Sequence, residues 1–200
     1  IEKNHITHHN ITNTRVISNG IEFPKNMQVN SSVFKTKNIS LIYIGSLEFS
    51  KGLFNSIQAI KLCKKNNLDV HFNLVGEWCY ESEKAEILDY IKKYNLEKYI
   101  TFHGILTGKD KWNVFSSCAV LVHPTFWDGV PLTILEAMAL GLAVISTEVG
   151  GIPDTIENNI KYRRNSDTKE EVITEEKNLI VCLAEKSVER SILLACFKAT

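Results

Sequence analysis

Asp128 and Glu136 stand eight positions apart in an otherwise mostly apolar stretch, His123-Pro124-Thr125-Phe126-Trp127-Asp128-Gly129-Val130-Pro131-Leu132-Thr133-Ile134-Leu135-Glu136-Ala137-Met138-Ala139. A carboxylate is almost never buried without a partner, so Glu136 should face a cavity that holds hydrogen-bond donors. Sugar and ribose hydroxyls are such donors. Between the two acids, Gly129 and an expected helix start at Leu132-Thr133 aim free N–H groups at an anion, with the partial positive charge of a helix end behind them. A second loop, Gly45-Ser46-Leu47-Glu48-Phe49-Ser50-Lys51-Gly52, brings one ammonium to the start of another helix, a combination suited to phosphate. Two acids for hydroxyls, with a helix start and a lysine for phosphates, describe a nucleotide-sugar. Each part also has a plainer role: glycines serve tight turns, Glu136 a partnered helix carboxylate and Asp128 a helix cap.

Two further loops, Gly76-Glu77-Trp78 and His103-Gly104-Ile105, follow apolar runs and can line the same cleft or act as simple turns. Neither GxxxxGK[ST] nor GxGxxG occurs, which removes the main support for an ATPase or a dehydrogenase. His103 and His123 close strands at that end, where each can touch a ligand or simply pack.

These loops need a scaffold, and from Ser40 onward short β-branched runs alternate with helical patterns, the mark of parallel βαβ units in a doubly wound sheet. The expected strands are Leu41–Ile44, Val70–Val75, Ile100–Phe102, Ala119–His123 and Ala143–Ser146. The expected helices are Asn55–Lys64, one carrying Ile87, Leu88, Ile91 and Tyr94, then Asp110–Ser116, Leu132–Leu140, and one with Pro153 at its first position after a Gly150-Gly151 turn. In such a sheet ligands sit beyond the carboxyl ends of the strands, where all four loops lie. Upstream, residues 1–14 are linker-like and Arg15–Ser18 an edge strand. Downstream, Asn158–Lys177 is an exposed polar loop, before an apolar run at Leu179–Leu183 and a final helix with Ala184, Val188, Ile192 and Cys196 in step.

Composition sets limits. The 200 residues are 44% apolar and 23% charged, and 23 basic side chains balance 23 acidic ones, so the overall field favours neither nucleic acid nor an anionic membrane. Any anion must be bound locally. Five scattered cysteines without a CxxC pair fit a reducing cytoplasm, in which the sequons at Asn10, Asn30 and Asn38 are chance. His5, His8 and His9 have no nearby acid except Glu2 and no fixed secondary structure to make a metal site, and no apolar stretch reaches the roughly 20 residues of a bilayer span.

From about Val16 to Ile156 the chain resembles the nucleotide-sugar-binding, C-terminal half of retaining glycosyltransferases of the two-Rossmann-domain (GT-B) type, in the large group-1 family. The resemblance rests on Ser18-Asn19-Gly20-Ile21, Tyr43-Ile44-Gly45 with Lys51-Gly52, Leu74-Val75-Gly76, Phe102-His103-Gly104, the Asp128–Glu136 segment and Thr147-Glu148-Val149-Gly150-Gly151-Ile152-Pro153-Asp154. It implies a Rossmann-like three-layer α/β/α domain with a mostly parallel sheet, one half of a GT-B fold, spanning residues 15–200. By the same resemblance Asp128 is the catalytic-site acid beside the donor sugar and Glu136 accepts from the ribose. Lys51, Leu132 and Thr133 hold the diphosphate, the main chain at Ile105 reads the base, and Gly45, Ser46, Gly76, Gly129 and Val130 line the cleft. No metal or other cofactor is expected.

Two departures stand out. The family usually has Glu at the position of Asp128 and Arg at that of Ser46, so a shorter acid and a missing cation both bear on donor binding. A glycine common before the domain's last strand is also absent from Asn158–Lys177. With no segment before Ile1 to form an acceptor domain, the expected partners are a nucleotide-sugar and the chain's own N-terminal half, through which any peripheral membrane contact would run. The expected function is donor binding for retaining sugar transfer in polysaccharide or glycoconjugate synthesis. A nucleotide-sugar epimerase with the same layout and a non-catalytic binding module are the alternatives.

Overall fold

The computed structural model describes residues 19–24, 27, 38–161 and 181–183. Six strands, β1 (Ile39–Ile44), β2 (Val70–Val75), β3 (Ile100–Gly104), β4 (Val120–His123), β5 (Ala143–Ser146) and β6 (Val181–Leu183), form one sheet in the order β3-β2-β1-β4-β5-β6. Every pairing is parallel, with Ile39 opposite Val70 and Leu41 opposite Val120 on the two sides of β1. Helices α1 (Leu53–Lys65), α2 (Glu81–Lys93), α3 (Gly108–Ser116), α4 (Leu132–Leu140) and α5 (Ile152–Lys161) connect them.

Period-two alternation in β1 divides the core. Leu41 and Tyr43 join Phe72 and Leu74 of β2 in packing against Leu53, Ile57 and Ile60 of α1 and Ile87 and Ile91 of α2. Ile42 and Ile44 point the other way, to Trp112 and Phe115 of α3, Ile134 and Met138 of α4 and Ile152 of α5. Both faces are thus covered, as an all-parallel sheet requires, and the strands read as nearly continuous apolar runs for that reason.

The reading of the elements holds at α4 and β5 to the residue. The helix expected at Asn55–Lys64 begins earlier, at Leu53, because Gly52 has a left-handed φ of 73° that turns the chain into it. Helix α5 begins at Ile152, which puts Pro153 second: Thr155 N–H already donates to Gly151 O, so the turn starts one residue sooner. It runs on through Lys161, where a loop was expected from Asn158; polar residues extend a helix without leaving an apolar period. The apolar run at Leu179–Leu183 supplies β6. The linker at 1–14, the edge strand at Arg15–Ser18, the rest of the polar stretch to Lys177 and the final helix lie outside the described residues.

Between β1 and β4 the strand order reverses direction, β2 and β3 lying to one side and β5 and β6 to the other. That reversal opens a crevice at the carboxyl ends of β1 and β4, the place where open parallel sheets bind ligands. The loops carrying Lys51 and Asp128 follow these two strands.

Candidate donor site at the sheet's switch point

Lys51 ends a single 3-10 turn, Phe49–Lys51, and Phe126 N–H donates to Ser50 O at 3.0 Å, so the loop after β1 is tied to the loop after β4. A Cβ on Gly52 would sit 2.0 Å from Pro124 O, which makes the close approach of the two loops dependent on glycine. Across that seam the Lys51 ammonium donates to Asp128 Oδ2 and to Trp127 O, both at 3.0 Å. Two residues 77 positions apart thereby form one ion pair, about a fifth exposed on each side.

His123 ends β4 just beneath. Its ring is 4% exposed, lies 6.2 Å from that of Tyr43 in a stacked arrangement, and has Nε2 3.6 Å from Asp128 Oδ2. That distance is beyond a hydrogen bond yet close enough for the imidazole to act on the carboxylate. His123 first and Lys51 second favour the charged form against burial, and the Asp128 carboxyl is lowered to about 2. Asp128 is therefore an anion at any physiological pH. It does not cap α4, whose N-cap is Pro131 with no side-chain hydrogen bond.

A stability consequence follows from the sign of that shift. The unfolded carboxyl titrates near 3.8 and the folded one at about 2, so the stabilisation is complete above about pH 4 and disappears as pH falls through the folded value. Denaturant midpoints of wild type and Asp128→Asn should converge between about pH 4 and pH 2; a gap that stays constant contradicts the pairing.

Ile134 N–H turns back to Pro131 O, leaving the N–H groups of Leu132 and Thr133 at the mouth of α4. Leu132 is half exposed, so the helix start is open to solvent. One turn deeper, Glu136 is buried, and its Oε1 accepts a 2.6 Å hydrogen bond from Lys111 Nζ on α3. Among the described residues, the buried side-chain polar atoms without a protein hydrogen bond are His123 Nδ1 and Nε2, Thr133 Oγ1 and Glu136 Oε2. Each such atom costs about 1–3 kcal/mol, and their concentration between the end of β4 and α4 marks a place shaped for something besides folding.

The remaining expected residues gather on the other side of β1. Gly45, Ser46, Gly76 and Ile105 line a cleft of about 590 Å3, together with Trp78 and Tyr80. Tyr43, its phenol pushed far up chiefly by burial, donates to Ser46 O at 2.6 Å and fixes this loop. Val130, also expected at the cleft, is not among its lining residues; its O accepts from Asn19 Nδ2 at 3.4 Å. The expected residues thus fall in two groups, Gly45, Ser46, Gly76 and Ile105 in the cleft, and Lys51, Asp128, Gly129, Leu132, Thr133 and Glu136 on the loops and the helix that follow β1 and β4. Lys111 and Tyr43 are not among the expected site residues, and the sequence leaves His123 open between touching a ligand and packing. A lysine on a polar helix and a tyrosine in an apolar strand give no local signal.

Cys79 and Cys118 are free thiols. Among the described residues no group of acids, histidines and cysteines could hold a metal ion, and no helix is long and apolar enough to cross a membrane.

This crevice in a parallel α/β/α sheet is the architecture of one Rossmann-like domain of a GT-B glycosyltransferase, and solved structures of that class share it. The C-terminal domain of a glycosyl transferase group 1 family protein (LpcC) from Francisella tularensis matches with a TM-score of 0.60 and 22% identity, over 88% of this chain and 84% of that one. Anabaena Alr3699/HepE, solved in complex with UDP and glucose, matches with a TM-score of 0.59 and 20% identity, over 81% of this chain and 39% of that one. At these identities the likeness shows the fold.

The model of the family "Glycosyl transferases group 1" matches residues 25–183, and the chain belongs to that family. Among curated relatives, the amylovoran biosynthesis glycosyltransferase AmsK of Erwinia amylovora is 25% identical over 128 residues, covering 61% of this chain and 31% of that protein. The glycogen synthase of Mycobacterium tuberculosis is 23% identical over 124 residues, covering 62% of this chain and 29% of that protein. The chain spans just under a third of the length of these relatives. Their names point to polysaccharide synthesis, amylovoran in one case and glycogen in the other.

Proposed function

We propose that this chain is the donor-binding, C-terminal domain of a retaining group-1 glycosyltransferase that moves a sugar from a nucleotide-sugar to an acceptor hydroxyl, in the cytoplasm, during polysaccharide or glycoconjugate synthesis. The observation that carries the reading is the Lys51–Asp128 ion pair joining the loops after β1 and β4, the second of which leads into α4 and its uncapped start. The diphosphate lies against the Lys51 ammonium and the Leu132 and Thr133 amides. The base reaches the main chain at Ile105, the ribose reaches Glu136, and the sugar reaches Asp128. A structural relative solved with UDP and glucose supports the ligand class.

The chemistry asked of these groups is stabilisation of a leaving diphosphate. As the bond from the anomeric carbon to the diphosphate oxygen breaks, negative charge grows on that oxygen, next to donors that are already oriented. Asp128, always ionised, accepts hydrogen bonds from sugar hydroxyls and orients the ring. Lys51 and the α4 amides supply positive charge from the chain itself, so binding needs no resident metal and is expected to survive chelation by EDTA.

The reading is tested by the melting temperature of the 200-residue chain with millimolar UDP, GDP or ADP. At least one should raise it, since a ligand at 100 times its Kd adds about 2.7 kcal/mol, and the rise should vanish in Glu136→Ala. No rise with any of the three, or an undiminished rise in the variant, refutes the donor site. Ser46 in place of arginine keeps one rival alive, a module that binds without transferring; sugar transfer by the full-length enzyme, abolished in Asp128→Ala, separates the two.

A further inference from the structure

Glu136 is buried on an otherwise apolar helix, and the partner that lets it be there is Lys111, one turn into α3. The pair is short, 2.6 Å, and the side chains are 22% and 11% exposed. Among the described residues only Oε1 is used; Oε2 has no hydrogen bond from them, and neither has Thr133 Oγ1 one helical step earlier on α4. An ammonium carries three N–H donors and is joined here to a carboxylate by one. The two side chains together thus hold unspent donor and acceptor capacity at one point.

We infer that Lys111 is a specificity-determining residue of this domain: with Glu136 it reads the vicinal diol of a ribonucleotide. The inference rests on the ribose assignment of Glu136 made above. A diol presents both O–H donors and oxygen lone pairs. A carboxylate alone can satisfy only the donors; a carboxylate with an adjacent ammonium satisfies both, and the pair is complementary to the diol. The ion pair with Lys111 also holds the carboxylate away from the apolar side of α4, where Ile134 and Met138 pack. A site built to hydrogen-bond a hydroxyl discriminates against the ligand that lacks it, because its own polar groups are then left unpaired in a buried place.

The experiment compares the tightest-binding of UDP, GDP and ADP with its 2′-deoxy counterpart by calorimetric titration of wild type, Lys111→Met and Lys111→Arg. Wild type is expected to prefer the ribonucleotide by about tenfold or more, Lys111→Met to narrow the preference to about threefold or less, and Lys111→Arg to keep most of it. Lys111→Gln, which retains a donor for Oε1 without the charge, serves if the methionine variant does not fold, with the same narrowing expected. A purely structural lysine predicts something else: a lower melting temperature and equal weakening of both nucleotides, with the ratio unchanged. An unchanged ratio overturns the inference while leaving the donor site standing; a wild type that binds none of the nucleotides overturns the donor site and this inference with it.

Discussion

Lys51→Met should weaken binding of a nucleoside diphosphate by roughly 10- to 150-fold while leaving binding of the bare nucleoside unchanged. A charge-assisted hydrogen bond from a lysine to a phosphate contributes about 1.5–3 kcal/mol, and each 1.4 kcal/mol is a factor of ten. The loss has a second part. In the free protein Lys51 neutralises Asp128, with the ammonium 3.0 Å from Oδ2. Removing it leaves an anion, ionised at every pH of interest, facing the incoming diphosphate. Adding Asp128→Asn to Lys51→Met should therefore recover part of the loss, and Asp128→Asn alone should tighten the plain diphosphate slightly by freeing the lysine. A lysine that only braces the loop predicts equal weakening of nucleoside and nucleotide. Titrations of both ligands into all four proteins decide.

The second large effect is expected at a residue without a side chain. Gly150 has a left-handed φ of 56°, and a Cβ there would lie 1.8 Å from Asp128 O; the neighbouring Gly151 donates its N–H to Gly129 O at 2.7 Å. The glycine pair is thus a seat for the peptide that carries Asp128. Gly150→Ala adds about 1–2 kcal/mol of backbone strain and a contact that only a shift of the Asp128 loop can relieve. For about 200 residues each kcal/mol lowers the melting temperature by about 2–4 °C, so a fall of roughly 5–12 °C is expected, with loss of nucleotide binding. Gly20→Ala, where a Cβ would meet nothing within 4 Å, is the control and should do neither. Equal behaviour of the two variants contradicts the proposed seat.

Most of this fold is legible in the chain because a parallel sheet is written in its own interior. Strands such as Val120–His123 and Ala143–Ser146 are buried on both faces and stand out as apolar runs, and α4 is nearly all apolar for the same reason. Lys51, Asp128 and Glu136 are legible against that background, since a charge next to a glycine or inside an apolar helix needs an explanation. What cannot be read locally is partnership. Lys51 and Asp128 are 77 positions apart and Lys111 and Glu136 25, and nothing in the residues between says that they touch. His123 reads as the last residue of a strand until its distance to Asp128 is known. Gly150-Gly151 reads as a turn, and only the fold shows what the turn supports. The helix limits slipped where capping decided them, at Gly52 and Gly151.

The central claim is that one crevice receives a nucleoside diphosphate between the loop after β1 and the start of α4. A crystal structure of the chain soaked with the nucleoside diphosphate that most raises its melting temperature tests this directly. The diphosphate is expected on Lys51 Nζ and the Leu132 and Thr133 amides, with the Lys51–Asp128 contact opened and the ribose within hydrogen-bond reach of Glu136. A diphosphate bound elsewhere, with Lys51 still closed on Asp128, would contradict it.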